Sequence, residues 1–132
     1  MTEIGREWLK KARRDFVTMN REFRAEEEPN YEAVCFHAQQ CVEKLLKGYL
    51  FEHEIKFWKT HDLRELLNLA YPLASGWKQF EKEAARLSEY AVDTRYPGED
   101  VYLEDAREAV ETCKKIRAAI LAELKETDQL SL

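Results

Sequence analysis

Apolar residues recur at helical spacing along almost the whole of this 132-residue chain, and no useful stretch alternates with the period of two that a strand requires. Three prolines and four glycines are the main interruptions. Such spacing predicts long helices with short connections, and short connections make neighbouring helices antiparallel. Ile4, Trp8, Ala12, Phe16, Met19 and Phe23 mark a first helix from about residue 3 to about residue 25. The acidic run Glu26-Glu27-Glu28 and Pro29 stop it. Asn30 then suits the cap of a second helix, because its side-chain oxygen accepts a free first-turn amide. Val34, Ala38, Cys41, Val42, Leu45, Leu46, Tyr49 and Leu50 give that helix a stripe wide enough to face more than one neighbour.

Thr60 is expected to cap a third, short helix carrying Leu63, Leu66, Leu67, Ala70 and Leu73, which ends or kinks at Pro72. Ser75 and Gly76 open a fourth, with Trp77, Phe80, Ala84, Leu87 and Ala91 on one face. Pro97-Gly98 breaks the chain. A last helix is expected from about residue 101 to about residue 126, on Tyr102, Ala106, Ala109, Cys113, Ile116, Ile120 and Leu124. The expectation is an all-α fold: an antiparallel up-and-down bundle of four to five helices, one domain over residues 1–132.

Charged residues make up 36% of the chain, so the excess charge belongs on long solvated helical faces. The net charge of −5 repels nucleic acid as a whole, and any such binding needs a local basic patch. Two patches are candidates: Arg6, Lys10, Lys11, Arg13 and Arg14 on the first helix, and Lys44 and Lys47 on the second, with Lys56 and Lys59 just beyond it. Interspersed acids favour a solvated face for both. No apolar run approaches the ~20 residues of a membrane span, and the N-terminus lacks a secretory pattern, so a cytoplasmic location is expected. Cys35, Cys41 and Cys113 form no CxxC and fall in apolar patterns, as reduced core thiols do.

Few catalytic classes fit. Ser75, Ser88 and Ser131 lack the glycine context of a nucleophile elbow, and no Gly-rich phosphate loop follows a strand. His37 and Cys41 share a helix face at ligand spacing, but a core thiol beside a hydrogen-bonded imidazole fits the same pattern better. Glu-x-x-His, which a di-iron bundle needs, is absent. No metal and no cofactor is expected. Thr60-His61-Asp62-Leu63 reads first as a helix start, with His61 exposed in the first turn, and second as a binding position for His61. The densest constellation is Glu89-Tyr90 through Asp93, Arg95, Tyr96, Pro97-Gly98, Asp100 and Tyr102. Arginine grips phosphate and tyrosines stack on bases. A buried Arg–Asp pair pinning the corner, with tyrosines wedged between helices, explains the same residues equally well.

Two segments together resemble the HEPN family of helical nucleotide- and RNA-associated proteins. Ala38 to Leu50, reading AQQCVEKLLKGYL, is similar to that family's second-helix pattern AQQAxEKxLKAxL. Thr60-His61-Asp62-Leu63 leading to Leu66-Leu67, and then Arg95-Tyr96-Pro97, follow in the family's order. The resemblance implies a helical bundle that commonly forms a homodimer, and a minimal nucleotidyltransferase as partner in toxin–antitoxin-like or defence modules. Many HEPN members are metal-independent endoribonucleases with an Arg-x4–6-His signature, often followed by a Tyr two positions later.

That signature is broken here. The chain reads Arg95-x4-Asp100-x-Tyr102, with Asp where the ribonucleases carry His. An ordinary Asp, with a pKa of about 4, is ionised near neutrality and cannot donate a proton as imidazole does. The expectation is therefore a non-catalytic protein that binds a nucleotide, RNA or a nucleotidyltransferase. Its candidate contacts are Arg95, Tyr96 and Tyr102, with Asp93 orienting Arg95 and with Asp100, His61 and Lys47 nearby. Two alternatives stand beside it: a divergent ribonuclease in which His61 or His37 replaces the missing imidazole, and a purely structural dimeric module. Tyr102 is also a candidate for modification by the nucleotidyltransferase.

Overall fold

The computed structural model describes residues 1–92 and 95–125. Within them lie five α-helices and no strand. They are α1 (Glu3–Phe23), α2 (Tyr31–Glu52), α3 (Leu63–Ala70), α4 (Glu81–Ser88) and α5 (Leu103–Glu123). The all-α bundle expected from the apolar spacing is the observed fold. No helix among the described residues is long and apolar enough to cross a membrane.

α1 and α2 pack as an antiparallel hairpin. Thr2 donates its backbone N–H to the Glu52 carboxylate at 3.0 Å, while Glu22 near the other end accepts from the Asn30 amide at 2.9 Å. Between these clasps the helices approach closely at Gly48, where an added Cβ would lie 3.0 Å from the Trp8 Cβ. Asn30 caps α2 as expected, accepting from the Ala33 amide at 3.1 Å, a contact worth about 1 kcal/mol. α2 is the central helix, packing against α1, α3, α4 and α5. Val34, Cys41, Val42, Leu46, Tyr49 and Leu50 are all fully buried on it. Cys35 lies near Asp105, Cys41 meets Cys113 and Tyr49 lies near Glu123, so α5 runs in the direction of α2. The buried side chains of all five helices form one continuous cluster.

Two local expectations are corrected. Asp62, not Thr60, caps α3: its carboxylate accepts from the Arg64 amide at 2.9 Å, while the Thr60 hydroxyl accepts from Asp62 itself at 3.1 Å. The Thr60 hydroxyl thus braces the cap residue and does not reach the helix. The fourth helix begins later than its apolar pattern, because Ser75–Phe80 is a 3₁₀ segment and α4 opens only at Glu81. α4 also ends at Ser88, leaving Tyr90 and Ala91 in the corner that follows.

Candidate functional site

Glu43 sits in the middle of α2's apolar run, between Val42 and Leu45, and the helix turns it inward. It is 4% exposed. A bare carboxylate there would be costly, and the surroundings supply donors instead. Lys47, one turn on, donates to Glu43 Oε2 at 2.9 Å. Gln39, one turn back, donates to Oε1 at 3.0 Å and to the His61 carbonyl at 3.1 Å. His61 Nδ1 lies 3.0 Å from the same Oε1. Burial raises the Glu43 pKa, but the hydrogen bonds from Lys47, Gln39 and His61 outweigh it and hold the carboxyl below its usual range. The His61 side chain itself is 68% exposed. A buried carboxylate therefore orients one face of an imidazole whose body stands in water, an arrangement that suits proton transfer.

A second buried carboxylate repeats the pattern. Asp15 of α1 takes His37 Nδ1 at 2.8 Å and Lys44 Nζ at 2.6 Å. His37 is thus directed at Asp15, while Cys41 is fully buried against α5; the two do not converge on a common point. All three cysteines are free and buried. Lys44 and Lys47, expected on a solvated face, are both tied to these inward acids. Lys47 is 8% exposed, with its Nζ 5.9 Å from the Trp8 ring centre, and so occupies a packing position away from any surface ligand.

The corner after α4 is built differently. Arg95 donates to the Glu89 carbonyl at 2.9 Å, lies over the Tyr90 ring at 5.1 Å and stands 4.0 Å from the Glu99 carboxylate. Tyr90 is half-buried beside Cys35, and burial pushes both its hydroxyl and the Cys35 thiol up to about 12. Gly98 makes the reversal possible with φ +95°, a left-handed conformation that a side chain would strain. Beyond it Asp100 is exposed, 3.5 Å from the Tyr102 hydroxyl, and the Tyr102 amide donates to Asp105 at 2.9 Å. Tyr96 and Tyr102 are 74% and 62% exposed. Neither is wedged between helices. Asp93, expected to orient Arg95, lies outside the described residues.

The corner and His61 share one end of the α3–α4 pair. Ser88 Oγ accepts from the Leu63 amide at 2.9 Å, tying the start of α3 to the end of α4. On α2, Cys35 underlies Tyr90 and Arg95, and Gln39, one turn later, holds His61. Arg95, Tyr96, Asp100 and Tyr102 thus share the segment between α4 and α5, and His61 stands just before α3, whose start is tied to the end of α4. A cleft of ≈ 230 Å³ beside Tyr90 is lined by Glu83, Glu89, Asp105 and Glu108 with Arg86, a mostly acidic wall that disfavours an anion.

The model of the HEPN domain family matches residues 6–124 of the chain. Two solved structures are similar to it. TT1696 from Thermus thermophilus is 25% identical with a TM-score of 0.78, over 92% of this chain and 99% of that one. ST0689, described as an archaeal HEPN homologue, is 24% identical with a TM-score of 0.73, over 94% of this chain and 99% of that one. No curated protein sequence matches the chain significantly.

Proposed function

This chain belongs to the HEPN family, and from that premise we propose that it binds a phosphate-bearing ligand, a nucleotide or RNA, at the Arg95 corner without catalysis. The observation that carries the reading is that Arg95 shares the short segment between α4 and α5 with two exposed aromatic rings, Tyr96 and Tyr102. A guanidinium has five N–H donors; the Glu89 carbonyl occupies one, and the Glu99 carboxylate stands 4.0 Å from another of its nitrogens. The remaining donors suit phosphate oxygens, and the rings suit stacked bases. Asp100, where a ribonuclease of this family would carry His, is exposed. The proposal extends to a homodimer and to a minimal nucleotidyltransferase as protein partner in a toxin–antitoxin-like or defence module.

Calorimetry with AMP and with a single-stranded RNA tests the corner. Arg95→Ala is expected to weaken both by at least about tenfold, or about 1.4 kcal/mol, while the bundle stays folded. Unchanged affinity would remove Arg95 from the site. A second reading, a divergent metal-independent endoribonuclease, is favoured by the Glu43–His61 contact alone. It requires RNA cleavage in the presence of a chelator, abolished in His61→Ala; intact RNA at micromolar protein sinks it.

A further inference from the structure

The outward side of α1 carries a positive surface that the corner does not use. Lys10, Arg13, Arg14 and Arg21 line one shallow groove, with Val17 and Thr18 between them. All four are exposed, and among the described residues none has an ion-pair partner. Two of the helix's acids are engaged elsewhere, Asp15 by His37 and Lys44 and Glu22 by the Asn30 amide, while Glu7 is exposed three residues before Lys10. On α4 and α5, by contrast, surface cations meet acids, as in the Lys115–Glu83 and Arg86–Glu108 pairs. A chain of net charge −5 therefore reverses the sign of its field along one helix face.

The length of that face is informative. From Lys10 to Arg21 the helix rises about 16 Å. Along that length a single strand presents a short run of phosphates, which the four cations can meet together. Three of the four cations are arginines, whose planar forks fit phosphate oxygens. We propose that this face of α1 holds one strand of nucleic acid by its phosphodiester backbone. For the class of ligand the proposal rests on the corner reading, but it uses none of the corner's residues.

The test is fluorescence anisotropy of a labelled U20 RNA with the full chain, titrated from low to moderate sodium chloride. Four backbone contacts predict a slope of log affinity against log salt of about −3. Arg13→Ser with Arg14→Ser should reduce the slope by about 1.4, since each contact contributes about 0.7. Its AMP affinity at the corner should be unchanged, and circular dichroism confirms that the variant is folded. A dT20 strand is expected to give the same slope, because neither sugar nor base is read. A wild-type slope flatter than about −1, or a slope unmoved in the double variant, overturns the proposal. So does poly-glutamate displacing U20 as well as unlabelled U20 does, which would assign the face to an acidic polypeptide. Loss of AMP binding in Arg95→Ala with the α1 slope intact, or the reverse, separates failure of one site from failure of the other.

Discussion

The Glu43 cluster and the Arg95 corner are both set against α2 and are built on opposite plans. Glu43 is a buried anion whose oxygens are engaged by Lys47, Gln39 and His61. Arg95 is a cation at the edge of the bundle, with one carbonyl acceptor, one ring beneath it, the Glu99 carboxylate at 4.0 Å and donors left over. A buried polar group is costly until it is satisfied, so a saturated cluster specifies how α2, α3 and the connection between them fit. An unsaturated group at the surface can wait for a ligand at little cost. The contrast separates holding the fold from using it.

Four measurements bear on that separation. The largest effect is expected for Glu43→Ala, which strands a buried ammonium on Lys47. It should cost about 3 kcal/mol in chemical denaturation, and a loss below about 1 kcal/mol would place the cluster among ordinary surface pairs. Acid conditions sharpen the point. Because the folded pKa of Glu43 is lowered, its contribution is complete above the unfolded carboxylate range and is lost as pH falls through the folded value. The stability advantage of the wild type over Glu43→Gln should therefore shrink from about pH 5 to about pH 3. Next comes Arg95→Ala, which should move ligand affinity about tenfold and melting temperature by only a few degrees. The reverse pattern would make the corner a structural pin like Glu43. Smallest is Tyr49→Phe. The Tyr49 hydroxyl is buried without a hydrogen-bond partner among the described residues, so its removal should be neutral or stabilising by up to about 1 kcal/mol. A loss of that size instead would reveal a partner for the hydroxyl.

Much of this fold was legible because one period runs through the chain. Val34 to Leu50 required a helix with several neighbours, and α2 has four. Asn30 was readable as a cap because its geometry is local. Thr60 misled because Thr60 and Asp62 are both good caps two residues apart, and the tertiary anchor of Leu63 on Ser88 favours the later start. The Glu43 cluster was missed, although a signal existed. Glu43 lies among residues that the apolar stripe turns inward, as Asp15 does between Ala12 and Phe16, and an inward acid demands donors. Which donors answer it depends on where the connection after α2 brings His61, and no local pattern carries that. At the corner, the residue types were readable in advance; the exposure of Tyr96 and Tyr102 was not, because it depends on how the turn at Gly98 leaves the core.

The central position of α2 has a consequence for how the molecule can open. Every other α-helix rests on it, so it has no side from which the structure can be dismantled piece by piece. Its amides would exchange with deuterated solvent only when the whole molecule unfolds, whereas the short α3–α4 pair can detach first. Variation at Val34, Cys41, Val42, Leu46 or Leu50 is thus filtered by folding before any ligand can select it. Under the two readings proposed above, drift in ligand preference is left to the rim: the corner and the outer face of α1.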